Sequence, residues 1–247
     1  ATGYIGKRLL IQLLEEGHHV VCSVRDRKRL SLKLYQNHLE KIQIIENDFL
    51  DENSLQNIPH DIDFAYYLVH SMSSGSGNFS EKERISAENF RKALEKTSVK
   101  QVVFLTGIIN EEKLSEHLQS RKNVEQALKS EKYALTCLRA GIIVGSGSAS
   151  FEIIRDLVEK LPIMVAPKWL KTKCQPIAIR NVIQFLTKVL GVEKTYNQNY
   201  DIASHDVLTY KEMLLQYAEV RGLKRWIFTV PVMTPKLSSY WLYFITS

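Results

Sequence analysis

Two glycines three residues apart, Gly3 and Gly6, stand directly before a run in which Leu9, Leu10, Leu13 and Leu14 recur at helical spacing, and the run stops at Gly17. The pattern predicts an amphipathic helix over 7–16, entered through a glycine turn. Backbone N–H groups in the first turn of a helix lack partners and lie at the positive end of its dipole. An anion is stabilised there, and glycine lets it approach the backbone. The stretch Ala1-Thr2-Gly3-Tyr4-Ile5-Gly6 is therefore a candidate pyrophosphate cradle. A plain tight turn needs the same glycines, and the spacing alone leaves that reading open.

An apolar strand over 19–24 follows, and its far end is basic: Arg25-Asp26-Arg27-Lys28-Arg29. A strand directly after a helix of this length ends beside the cradle, where the adenosine ribose of a dinucleotide would lie. NAD sites place a carboxylate there for the ribose hydroxyls, whereas Arg25, backed by Lys28 and Arg29, suits a 2′-phosphate. NADP is thus the expected cofactor, ahead of NAD. A solvated turn or a nucleic-acid patch also explains a basic cluster, but neither explains its place at a strand tip.

Strands go on alternating with helices, the pattern of a doubly wound parallel α/β sheet of Rossmann type. Further strands are expected over 42–46, 61–69, 101–105 and 134–139, with helices over 52–57, 80–95 and 117–130. Ser80 and Glu83 have the spacing of a capping box. A phosphate loop of this kind hangs off a central strand, and none precedes Ala1. A sheet lacking its first, middle strand is expected, in a fragment or the ordered part of a longer protein.

The texture changes after Ala140. A glycine-serine loop over 141–148 leads to a helix over 151–161, an extended stretch over 173–179 and a helix over 180–190. A strand over 200–203, a helix boxed by Thr209 and Glu212, and an extended 226–230 follow. The expectation is a Rossmann domain over 1–140 and a smaller α+β lid over 141–247, not fully separate. Thr234-Pro235 then opens a stretch with Leu237, Tyr240, Trp241, Phe244 and Ile245 on one helical face. That stripe reads as a terminal helix packed on the lid or as one completed by residues downstream.

With 247 residues and 45% hydrophobic content the chain can bury a sizeable core. Its net charge of +6 comes from 33 basic and 27 acidic residues, interspersed, and does not argue for nucleic acid. Cys22, Cys137 and Cys174 lie far apart, two of them in apolar runs, so free thiols fit better than disulfides or a metal site. That points to a reducing, cytoplasmic compartment. No run is long enough to span a bilayer, and sparse basic residues near the aromatic stripe make a membrane-surface helix the weaker reading.

The phosphate loop, Arg25, Asp48 after the third strand and Leu105-Thr106-Gly107 together resemble the atypical short-chain dehydrogenase/reductases, which include the NmrA-like proteins and the extended sugar-nucleotide epimerases. Tyr67-Leu68-Val69-His70-Ser71-Met72 and the run from Arg139 to Glu152 are similar to one bacterial branch of NAD(P)-binding oxidoreductases. The resemblance implies that backbone groups of Gly3, Tyr4, Ile5 and Gly6, in the loop that includes Thr2, hold the pyrophosphate, and that Arg25, backed by Lys28 and Arg29, lies over the adenine and 2′-phosphate. It puts Asp48 and Phe49 at the adenine edge, and Leu68, Val69 and His70 beside the adenosine ribose and phosphates. Thr106, Gly107, Ala140, Gly141 and Ile142 would flank the nicotinamide. Asp48 as a helix cap and Thr106 as a strand-end turn residue are the plainer alternatives.

Active members carry a tyrosine and, one helical turn on, a lysine that lowers the phenol's pKa from about 10 for proton transfer. Here the matching helix carries His117 and Arg121. Arginine can hold a ribose hydroxyl but cannot release a proton, whereas histidine can protonate an alkoxide near neutral pH. Two functions stay open: an NADP-dependent oxidoreductase acting on a small carbonyl or quinone-like molecule, with His117 and Arg121 catalytic, or a non-catalytic NAD(P)-binding sensor or scaffold of NmrA-like type.

Overall fold

The structure, a computed structural model, describes residues 1–69, 79–108 and 116–230, with side chains from 119 onward in the last range. In chain order its elements begin with α1 (Tyr4–Glu15), β1 (Val20–Val24), β2 (Ile42–Glu46), β3 (Phe64–Tyr67), α2 (Phe79–Leu94) and β4 (Gln101–Gly107). Next come α3 (Glu116–Ala127), β5 (Ala134–Ala140), β6 (Ile143–Val144), α4 (Ala149–Lys160), β7 (Ile163–Pro167) and β8 (Lys173–Cys174). The described chain closes with β9 (Ile177–Ala178), α5 (Ile179–Lys188), β10 (Asn199–Ile202), β11 (Leu208–Thr209), α6 (Tyr210–Val220) and β12 (Trp226–Val230).

The chain divides into two compact units, Ala1–Ala140 with Arg180–Ile202, and Gly141–Ile179 with Ala203–Ser247. The crossing after Ala140 falls where the sequence texture changes. The return of Arg180–Ile202 to the first unit has no such marker, and the sequence reading put that stretch in the lid.

In the first unit β10, β5, β4 and β3 form a parallel sheet in that order, and β1 pairs with β2 in a second parallel ladder. Val102, Val103 and Phe104 of β4 are fully buried, as expected of a strand covered on both faces. An aromatic cluster of Phe49, Tyr67, Phe90 and Phe104 fills the core between sheet and helix α2. Helix α1 buries Leu9, Leu10, Leu13 and Leu14, the leucines of the sequence stripe. It ends in a Schellman motif: Gly17, at φ +91°, donates to the Leu14 carbonyl and His18 to that of Leu13. Its start lies three residues before the predicted one, so Gly6 is inside the first turn and Gly3 is the cap.

Buried Gln101 at the head of β4 fastens the returning segment. Its Nε2 donates to Thr136 Oγ1 at 2.8 Å, to the Val189 carbonyl at 3.1 Å and to Thr195 Oγ1 at 3.3 Å, while its Oε1 accepts from Gly191 N at 2.9 Å. Thr136 Oγ1 donates in turn to the Thr195 carbonyl at 2.8 Å. One side chain thus satisfies groups some 90 residues downstream, which is why this segment leaves the second unit.

The second unit packs α4 and α6 against β7 and β12, which pair in parallel, around Leu157, Val158, Met164, Ala166, Leu214 and Ile227. The capping box at Thr209 and Glu212 forms as the sequence predicts. The extended 173–179 resolves into β8, antiparallel to β11, and β9, parallel to β6. Strand β7 had no counterpart in the sequence reading. All three cysteines are free thiols. Among the described residues no helix is long and apolar enough to cross a membrane. The 234–245 stretch lies outside the described residues.

Candidate functional site

Helix α1 begins at Tyr4 behind its cap Gly3, whose backbone is extended; among the described residues no side chain caps the first turn, which holds no acidic residue. The first-turn N–H groups are therefore left for a ligand. A Cβ added at Gly3 would meet nothing within 4 Å among the described residues. At Gly6 a Cβ would sit 3.1 Å from the Ala1 backbone, and only glycine lets the preceding loop lie this close to the helix. Thr2 and Ile5 are half-buried, and the Arg8 guanidinium lies over the Tyr4 ring at 4.0 Å. The Tyr4 hydroxyl is buried with no hydrogen-bond partner among the described residues.

At the tip of β1, Arg25, Lys28 and Arg29 are exposed and form no ion pair among the described residues. Their turn is fixed by acids that do not neutralise them. The Asp26 carboxylate caps the short helix Arg27–Arg29, accepting from Lys28 N at 2.8 Å, and Glu46 at the end of β2 accepts from Arg27 N at 2.6 Å. Buried Asn47, which the sequence reading passed over, holds the two strand ends together. Its Oδ1 accepts from Ser23 Oγ at 2.9 Å and its Nδ2 donates to the Ser54 carbonyl at 2.6 Å.

Asp48 is exposed, with Oδ1 accepting from Leu50 N at 3.0 Å. The helix Glu52–Asn57 is capped by Asp51, so the capping alternative for Asp48 does not hold. The Phe49 ring stacks on Tyr67 and packs against Phe90. Half-buried Leu68 and Val69 follow β3, and His70 lies outside the described residues.

The ends of β4 and β5 lie side by side, Thr106 in register with Arg139 and Gly107 with Ala140, and Ile108 N donates to the Ala140 carbonyl at 3.2 Å. Gly141 and Ile142 open the second unit. Thr106 is buried, and its hydroxyl has no partner among the described residues. An orphaned hydroxyl at the carboxyl end of a parallel strand is the position from which such sheets address a ligand. Beside it Arg139 is held by Glu125, at 2.9 and 3.2 Å to the two carboxylate oxygens, and Asn199 Nδ2 donates to the same carboxylate at 3.1 Å.

His117 lies in the first turn of α3, its side chain outside the described residues. Arg121, one turn on, is buried and pairs with buried Glu83 of α2 at 3.7 Å. The other Glu83 oxygen accepts from Ser120 Oγ at 2.6 Å. Burial lowers the pKa of Arg121, with Glu83 opposing the shift, and a guanidinium stays charged regardless. Burial also raises the Tyr67 phenol, to which Glu83 adds, so this tyrosine is no acid or base near neutrality. Glu83 does not box the start of α2. The helix begins at Phe79, which puts Ser80 inside it, and the carboxylate reaches α3.

The uncapped α1 terminus behind Gly3, the free cations on the β1 tip and the orphaned Thr106 hydroxyl suit the phosphates and polar edge of a dinucleotide. The model of a family described as NAD(P)H-binding matches residues 1–155. The chain belongs to the NAD(P)H-binding family. No protein of curated function matches this family member in sequence. Its fold recurs in UDP-glucose 4-epimerase from Thermotoga maritima, at 13% identity and TM-score 0.73, covering 96% of this chain and 85% of that one. Pal from Bacillus thuringiensis gives 14% identity and 0.72 over 96% and 85%. UDP-glucuronic acid 4-epimerase from Bacillus cereus, solved with UDP-glucuronic acid and NAD, gives 14% and 0.71 over 94% and 84%. At these identities the likeness is one of fold alone, a Rossmann-like parallel sheet.

Proposed function

We propose that this NAD(P)H-binding family member takes NADP and reduces a small carbonyl or quinone-like substrate in the cytoplasm. The observation that carries the reading is the trio Arg25, Lys28 and Arg29, exposed at the strand tip and free of ion pairs among the described residues. A 2′-phosphate supplies an anionic partner for these three cations, which Asp26 and Glu46 do not pair with, and a ribose hydroxyl does not. The α1 terminus behind Gly3 holds the pyrophosphate through backbone N–H groups, which bind without regard to the rest of the molecule. Asp48 and Phe49 border the adenine, and Leu68, Val69 and His70 the adenosine ribose. Thr106 and Gly107, with Ala140, Gly141 and Ile142, orient the nicotinamide.

NADPH held by these residues would supply the hydride, and so the two electrons, that reduce the substrate carbon. The carbonyl π pair moves to oxygen, which takes a proton from His117 or from water. Arg121 holds a ribose hydroxyl and orients without moving protons.

A second reading, a sensor or scaffold that binds the dinucleotide and turns nothing over, is favoured by one feature: His117 and Arg121 stand where active relatives carry tyrosine and lysine. Calorimetric titration with NADPH and NADH, then NADPH consumption over a panel of carbonyls and quinones, separates the two. The expected result is saturable NADPH binding at least about tenfold tighter than NADH, the worth of one charge-assisted contact, together with turnover. Turnover lost in His117→Ala with affinity retained assigns the proton donor. Binding without turnover across the panel selects the sensor, and absence of saturable binding overturns both readings.

A further inference from the structure

The β7–β12 ladder of the second unit is apolar on both faces. Met164, Ala166 and Ile227 belong to the core with α4 and α6. The alternate positions, in register as Ile163 with Trp226 and Val165 with Phe228, are also large and apolar, yet 58%, 55%, 46% and 58% exposed respectively. Parallel strands are ordinarily covered on both faces, because apolar rows turned to water carry the full cost of their hydration. Four such side chains on two adjacent strands make one contiguous patch of the kind that marks a docking surface.

The charge around the patch is one-sided. The two segments that carry it, 160–179 and 220–230, hold seven Lys and Arg residues and no Asp or Glu. Lys160 and Arg221 pair with Asp156 and Glu159 of α4. By contrast Lys168, Lys171 and Lys173, just after β7, and Lys224, just before β12, are exposed and form no ion pair among the described residues. Trp169, 42% exposed, stands among the first three in the short helix Lys168–Lys171, its ring edge-on to Tyr210.

We infer that this face docks on an anionic bilayer surface. Trp226 and Phe228 enter the boundary between headgroups and acyl chains, Ile163 and Val165 leave water with them, and lysines at both ends of the ladder reach the lipid phosphates. An acidic protein is the weaker fit, since protein interfaces are depleted in Lys and enriched in Arg, and the four unpaired cations named are all lysines. A nucleic acid would stack on the two aromatic rings but gains nothing from the aliphatic pair beside them.

Co-sedimentation of the 247-residue chain with sucrose-loaded vesicles tests this, comparing phosphatidylcholine alone with an equimolar mixture of phosphatidylcholine and phosphatidylserine. The expected partition is at least about tenfold stronger on the mixture and falls with added salt, since each lysine near an anionic surface is worth about a fivefold factor. Lys168→Gln, Lys171→Gln and Lys173→Gln together should remove that advantage. Trp226→Ser with Phe228→Ser should weaken partition at least about tenfold through the lost apolar anchors. Thermal melts check that both variants fold, and the lysine triple, which alters no core residue, decides the matter if the aromatic pair is destabilised. Equal partition on the two kinds of vesicle overturns the inference, as does partition on the mixture unchanged by either folded variant. Absence of vesicle binding overturns it too: a dimer in sedimentation velocity that Trp226→Ser with Phe228→Ser dissolves would then assign the face to a second copy, and capture of a single-stranded oligonucleotide would assign it to nucleic acid.

Discussion

The carboxylate of Glu83 on α2 and the guanidinium of Arg121 on α3 form a buried ion pair at 3.7 Å, its second oxygen occupied by the Ser120 hydroxyl at 2.6 Å. Two charges withdrawn from water together are tolerable, and either alone is costly. Glu83→Gln should therefore destabilise the first unit by about 3–5 kcal/mol, the usual cost of breaking a buried pair. Chemical denaturation of wild type and variant measures it. A loss below about 1 kcal/mol would mean that Arg121 keeps its charge satisfied without Glu83, by water or by a second partner.

Gly3 and Gly6 separate ligand binding from stability. A Cβ at Gly3 meets nothing within 4 Å among the described residues, so Gly3→Ala should change stability by less than about 1 kcal/mol while weakening NADPH at least about tenfold, because the methyl occupies the space of a phosphate. Gly6→Ala should weaken binding too, and in addition shift the loop, since its Cβ lies 3.1 Å from the Ala1 backbone. Paired calorimetry and thermal melts check both. Unchanged NADPH affinity in Gly3→Ala would remove the phosphate from this helix.

The basic tip should act on one cofactor and not the other. Substituting Arg25, Lys28 and Arg29 by serine should weaken NADPH by about 10–100-fold and leave NADH within about twofold, since each lost charge-assisted hydrogen bond is worth about 1.5–3 kcal/mol and the contributions overlap. The NADPH advantage should also shrink with added salt, as expected for exposed charges. Equal losses for the two cofactors would mean that the tip does not read the 2′-phosphate.

Gln101 should be far more sensitive than its neutral side chain suggests. Gln101→Leu strands the Gly191 N–H in a dry interior, at about 1–3 kcal/mol, and removes the donor to Thr136 and Thr195, whose hydroxyls keep the Thr195 and Val192 carbonyls as acceptors. We expect a total near 3 kcal/mol and selective loss of exchange protection over 189–195. Uniform loss across the first unit would mean that the segment is not separately fastened by this residue.

Burial pushes the Cys137 thiol up to about 12, with Glu125 beside it adding to the shift. The folded pKa lies above that of an unfolded cysteine, so the native state holds this proton more tightly. Its contribution is complete below about pH 8.5 and is lost as pH rises toward 12. Denaturation midpoints should fall across that alkaline window and fall less in Cys137→Ala. In the native chain at pH 8, Cys137 should resist alkylation. Ready labelling without unfolding would contradict the burial.

What was legible locally was what local chemistry controls. The leucine stripe of α1 and its stop at Gly17 were read correctly, because a helix face and a left-handed cap are set by residues within a turn or two. The same holds for Thr209 with Glu212, where the capping box needs only its own backbone. Ser80 and Glu83 have identical spacing and do not form one. Glu83 is drawn to Ser120 and Arg121, some 37 residues away, and no local pattern announces that competition.

The sequence by itself determined the α/β alternation, the glycine entry to the first helix and the basic strand tip, since each depends on residue type and short-range spacing. Tertiary structure alone decided that Arg180–Ile202 joins the first unit through Gln101, that Asn47 ties two strand ends together, and that a candidate cap residue became half of a buried ion pair. The physical reason is the same in each case. A buried polar group must find its partner wherever the fold brings one, and separation along the chain puts no limit on where that is.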